Sequence, residues 1–263
     1  MIHHQKTNRI SWLIIAILSF IASITGVITP TIYQPFVKST LIPGLISQDL
    51  ITILAAGALL FFSLFPQTIH LKKLVLVLGI LGYLFYGYGI YVIEQFYNVF
   101  YPLYMGIFGL SFYSIIAGIT AIDKGLWLKI QVSRIIRIPA ASFLLLNPMI
   151  FYPLWIAQIL PFIQSGQRPD VFYSIYILDM CFIMPAMAIV GIMALKNKGW
   201  GLMLLPALLI KGYTLLFSVA LGGSILWIQN QDGNIGEIIF YLVLSFIFLG
   251  LAIIYLHRLK ITG

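Results

Sequence analysis

The chain has 263 residues, of which 61% are apolar and 8% charged, and its mean hydropathy is +1.05. Soluble domains carry about 25% charged residues, so this composition excludes a water-soluble globular protein and implies an integral membrane protein. The formal net charge of +8 would suit a nucleic-acid partner only if it were gathered into a stripe, and it is spread along the chain instead.

A hydrocarbon core about 30 Å thick takes about 20 residues of helix to cross. Eight runs approach that length: residues 10–29, 49–66, 73–93, 99–122, 139–163, 171–195, 202–228 and 235–256. They are apolar on all sides and lack the alternation of barrel strands, which predicts an all-α bundle of eight spans in one transmembrane domain, with no soluble domain. Lys6 and Arg9 precede the first run. The run is longer than a signal-peptide core and no small-x-small site follows, so a retained span is expected. The next connection, "TPTIYQPFVKSTLIPGLISQ" (29–48), holds three prolines and would cap a cavity on the outer side.

The third and fourth runs share Gly-Ile-x-Gly-x-x-Phe-Tyr, as "GILGYLFY" (79–86) and "GIFGLSFY" (106–113). Close helix packing is the simpler use of these glycines, and an inverted repeat is the sharper one. Tyrosines crowd the end of the third run. Those nearest its end read as interface anchors, whereas Tyr83 and Tyr86 lie deeper and each needs a hydrogen-bond partner. The segment "DKGLWLKIQVSRIIRIP" (123–139) alternates basic and apolar residues, as a segment lying in the membrane interface does.

The fifth run, "LLLNPMIFYPLWIAQILP", carries Asn147, Pro148, Pro153, Gln158 and Pro161. Prolines remove backbone hydrogen bonds, so a broken span with free carbonyls is expected, and Asn147 and Gln158 are candidate ligand contacts. The sixth and seventh runs each hold one deep ionisable residue, Asp179 in "YILDMCFIMPA" and Lys211 in "LLIKGYTLL". Such a residue costs about 2.5–3.5 kcal/mol at mid-membrane on insertion scales, which makes it a functional candidate by default. Measured from their shared end, Asp179 is roughly 24 Å deep and Lys211 roughly 14 Å. A direct pair then needs a kink, for which Pro185 and Pro206 are available. A polar network containing both residues fits the spacing better, and Asp179 is a candidate acceptor for the deep phenols Tyr83 and Tyr86. The plain alternative is a buried structural pair.

Charge fixes the expected orientation. With the N-terminus in the cytoplasm, the inside segments hold Lys6, Arg9, Lys72, Lys73, Lys124, Lys129, Arg134, Arg137, Lys196, Lys198, Arg258 and Lys260, and the outside loops hold only Lys38 and Arg168. This bias predicts both termini inside. Asp49, Glu94, Asp170, Asp232 and Glu237 fall toward the outer side. The single cysteine, Cys181, excludes an intramolecular disulfide and is expected to be a small buried hydrophobe. None of the four histidines shares a helical face with carboxylates at metal-ligand spacing, so no metal centre and no cofactor is called for.

"QDLITILAAGALL", "GYLFYGYGIYVIEQFYNVFYPLYMGIFGLSFYSI", "YILDMCFIMPAMAIVGIMALKNKGWG" and "LLIKGYTL" resemble segments of a loosely defined group of multi-spanning prokaryotic membrane proteins with no established activity. The resemblance implies a multi-pass protein of a prokaryotic cytoplasmic membrane and carries over no catalytic residue. Three function classes remain. A transporter or channel for a small polar solute or ion would use Asp179, Lys211, Asn147, Tyr86 and Gln158. A membrane-embedded enzyme acting on lipid would need a nucleophile–base set that the sequence lacks. A non-catalytic sensor or assembly factor needs no motif. The expected partners are membrane lipids and a small polar solute or ion, with no nucleic acid; the oligomeric state is left open.

Overall fold

Lipid tails are as apolar as leucine, so helices in a membrane associate by shape, and close approach favours small residues. The computed structural model describes residues 2–3, 5–65, 69–167, 172–230 and 233–261, and it follows this rule. Eight helices are long and apolar enough to span a bilayer: Gln5–Ile28, Ser39–Leu64, Leu71–Ile93, Tyr101–Thr120, Arg134–Ser165, Ser174–Leu195, Gly199–Gln229 and Ile235–Arg258. They are called the first to eighth spans below. The protein is thus a polytopic helical membrane protein with almost no strand.

The third span is the centre of the bundle, with 78% of its apolar window buried, against 11% for the fifth and 22% for the eighth. Its glycines admit the neighbours. A methyl group on Gly79 would lie 2.7 Å from Ile210 of the seventh span, and one on Gly87 would lie 3.1 Å from the Gln48 amide of the second. The related glycines of the fourth span behave differently. Gly109 meets nothing and Gly106 touches only the end of Leu18. The shared octapeptide therefore has no shared packing role.

Loops at the two ends show that consecutive spans run in opposite directions. At one end, Ile2 bridges to Ile122, and Ile130–Gln131 pairs antiparallel with Lys260–Ile261. Trp127 stacks on Trp200 at 3.9 Å. Arg9 donates to the carbonyl of Ser63 through Nε at 3.0 Å and Nη2 at 2.8 Å, so a cation completes the C-terminal turn of the second span. Arg137 bonds Asn197. All twelve basic residues assigned to the inside belong to segments at this terminal face. At the opposite face Tyr173 donates to the Ile93 carbonyl at 2.6 Å and the Ser174 N–H to Glu94 Oε1 at 2.8 Å. Arg168, Asp170 and Asp232 lie outside the described residues.

Two expectations change, those for the fifth span and for Cys181. The fifth span is one unbroken helix of 32 residues with Pro139, Pro148, Pro153 and Pro161 inside it. With no water to compete for the backbone, each proline removes one bond and the remaining ladder still holds. The segment 123–139 is anchored through buried Trp127, although Leu128 and Ile135 project outward. Cys181 is exposed, on the outer surface of the sixth span.

Candidate functional site

The geometry of the site starts at Pro185. Proline has no N–H, so the helix ahead of it cannot keep every regular bond. The sixth span responds with a π-helical turn over Asp179–Ile183, in which the Met184 N–H bonds the Asp179 carbonyl five residues back. In that register Pro185 would have served the Met180 carbonyl. The Tyr152 hydroxyl of the fifth span donates to it instead, at 2.7 Å. π turns recur at functional sites because they re-aim one side chain. Here Asp179 is turned toward the fifth span, where the Trp155 indole N–H donates to Oδ2 at 3.0 Å.

Tyr86 of the third span reaches the same carboxylate. Its hydroxyl interacts with Asp179, and its ring carries the Lys211 ammonium 3.7 Å from the centroid. Lys211 is only 2% exposed. Among the described residues its ammonium makes no hydrogen bond and no direct ion pair, although the charge of Asp179 acts on it. The order is therefore carboxylate, phenol, ring face, ammonium. A cation over an aromatic face in a desolvated site gains about 2 kcal/mol, which offsets part of the burial cost.

These groups border a cavity of about 630 Å³. Gln48, Tyr86, Asn147, Asp179, Lys211 and Ser218 line it, and Thr40, Gly44, Gly222, Asn234 and Glu237 line its end nearest the face opposite the termini. The rest of the wall is apolar, with Leu45, Met187, Leu215 and Phe248 among its residues. Thr40 and Gly44 belong to the proline-bearing segment 29–48, which thus forms part of that end. Asn147 bonds the Phe143 carbonyl through Nδ2 at 2.7 Å and keeps its oxygen free to accept. Of the sequence candidates, Asp179, Lys211, Asn147 and Tyr86 share this cavity. Gln158 does not: it lies one helical turn beyond Trp155, is exposed, and accepts from the Tyr176 hydroxyl at 3.1 Å.

A second polar constellation was not foreseen. Asp49 is 1% exposed and accepts from the Tyr33 hydroxyl at 2.6 Å and the Tyr91 hydroxyl at 3.3 Å. Tyr88, Tyr104 and Phe96 close an aromatic shell around it. Burial, and then the negative Asp49, push the Tyr33 phenol well above its ordinary range. A methyl group on Gly26 would collide with both Asp49 and Tyr33, so the first span must present glycine there. The sequence reading placed Asp49 at the membrane edge because its second span starts at residue 49. The helix starts earlier, with Pro43 in its first turn, and that proline was the available start signal.

No family model, curated protein or solved structure matches the chain.

Proposed function

We propose that the chain is a membrane transport protein for a small solute, with Lys211, Tyr86, Asp179 and Asn147 as the binding groups at the inner end of the cavity. The observation that supports this reading most directly is the separation of the two charges. A purely structural pair gains most in direct contact, where Coulomb attraction best repays desolvation. Here a tyrosine holds the charges apart, and both open onto a cavity that extends toward one face. This arrangement leaves each charge able to meet a ligand. On the positive-inside rule, the face carrying the termini is cytoplasmic and the opposite face is outside. The sequence resemblance supports a prokaryotic cytoplasmic membrane.

Reconstituted proteoliposomes test the proposal. Uptake of labelled inorganic ions, amines and carboxylates is compared with empty liposomes and with Asp179→Asn. Saturable uptake of one class, reduced at least about tenfold by the substitution, is the expected result. Uptake indistinguishable from empty liposomes for every class would overturn transport. Binding without uptake would favour a sensor.

A further inference from the structure

The hydrogen-bonding inventory of the cavity points to the chemistry of its ligand. Lysine offers three donors and no acceptor, and Lys211 uses none of them on a described residue; its close neighbour is a ring face. Asp179 is the only carboxylate among the deep lining groups, and it already takes the Trp155 N–H and meets the Tyr86 hydroxyl. The Asn147 amide nitrogen is committed to Phe143, and the Gln48 amide nitrogen to the Gly87 carbonyl at 3.1 Å. Among the deep charged groups the unmet demand lies on the donor side, at one buried ammonium. A cationic ligand would set a second positive charge beside the ammonium, and a neutral one would leave it only the more distant charge of Asp179.

Shape supplies the second half of the argument. From Lys211 to Gly222 the seventh span borders the cavity for about 17 Å, and the facing wall is predominantly apolar, with Phe151, Ile238 and Phe248 contributed by the fifth and eighth spans. These two spans are the least buried of the eight. They meet through Phe143 and Phe248, whose rings pack edge to face at 4.8 Å, on the terminal side of the cavity. The volume of about 630 Å³ falls within the range of about 300–1,000 Å³ that takes ligands with substantial apolar surface. A small hydrophilic solute would leave most of this wall against water.

We propose that the cavity binds a single-chain amphiphile with a carboxylate head, of the fatty-acid class, its head on Lys211 and its tail along the apolar wall between the fifth and eighth spans. The inference rests on the reading of the cavity as a ligand site and names the ligand class for it.

The test uses the full chain in lipid nanodiscs, with labelled dodecanoate as the probe and empty nanodiscs as the blank. Saturable binding above the blank is expected, with methyl dodecanoate and dodecylammonium competing at least about tenfold more weakly than unlabelled dodecanoate. These competitions use the unmodified protein, so they do not depend on a variant that folds. Lys211→Met is expected to lose at least about tenfold in affinity and Lys211→Arg to retain most of it. Equal competition by the ester or the amine, or binding unchanged in Lys211→Met, would overturn the proposal. A cysteine at position 218, in a Cys181→Ser background, separates the two levels of the argument. If small thiol reagents reach that cysteine and dodecanoate does not protect it, the ligand class is wrong and the site stands. If no reagent reaches it, the reading of an accessible site is wrong as well.

Discussion

Replacing Lys211 with methionine removes a charge, three donors and the contact with the Tyr86 ring while keeping most of the volume. The expected consequence depends on how far the ammonium is from Asp179. Along their helices Asp179 lies about 24 Å from Leu195 and Lys211 about 18 Å from Gly199, at about 1.5 Å per residue. The two helices share that end, so the offset is about 6 Å along the bundle, and with the Tyr86 ring against the ammonium a charge separation of about 7 Å is taken for the calculation. Unit charges at that distance and an effective dielectric of about 20 interact by about 2 kcal/mol. This is below the loss of about 3–5 kcal/mol when a contacting buried pair loses one partner. A double-mutant cycle of Lys211→Met and Asp179→Asn, followed by thermal unfolding in nanodiscs, measures the coupling directly. The double variant should be about 2 kcal/mol more stable than the sum of the single losses. Strictly additive losses would show that Tyr86 screens the two charges completely, and the account of the site as one electrostatic unit would be wrong.

The Asp49 cluster should be intolerant of substitution. Asp49→Leu leaves the Tyr33 and Tyr91 hydroxyls buried without an acceptor, at about 1–3 kcal/mol each, and Gly26→Ala should lose about 1–3 kcal/mol to overpacking; a wild-type melting temperature for either would refute the packing described. Burial holds the Glu94 carboxyl above its ordinary value of 4.5, against the opposing Ser174 N–H bond. The folded state then binds the proton more tightly than the unfolded one, so stability declines as pH rises from 4.5 through the folded value, then levels off. Glu94→Gln should flatten this decline, and parallel stability–pH curves for the two proteins would exclude the effect. Cysteines placed at positions 38 and 198 should label from opposite sides of the membrane with impermeant reagents, position 38 from outside; labelling of both from one side would break the assigned topology.

The spans were legible because the bilayer imposes one length and one composition on all of them. The candidate site was legible for a related reason: Asp179 and Lys211 stand out only because their surroundings are so uniformly apolar. What sequence could not show was anything that depends on which helix lies beside which. The placement of Tyr86 between the two charges requires the third span at the centre, and that follows from glycine contacts such as Gly79 against Ile210. The prolines of the fifth span misled, since the cost of a proline is local and a long helix in lipid absorbs it. Asp49 was missed by a boundary error of seven residues, from Ile42 to the start of the second apolar run at 49. At a helix end such an error changes an edge residue into a core residue.

The π turn of the sixth span has a consequence for phase. One turn there accommodates an extra residue, so everything after Ile183 is rotated by about 100° relative to an uninterrupted α-helix. Asp179, before the slip, and Met187, after it, both reach the cavity, whereas in a regular helix their angular positions would differ from those seen. The extra residue can be lost without removing any group that lines the cavity, because exposed Cys181 sits inside the slip. A chain shortened by that residue would restore the regular ladder and keep every cavity side chain in its sequence. It would also keep Met187 in its present phase relative to Asp179, because seven regular steps of about 100° equal eight steps less the slip. What the extra residue supplies is therefore local: it leaves the Met180 carbonyl to the Tyr152 hydroxyl and sets Asp179 against the Trp155 indole.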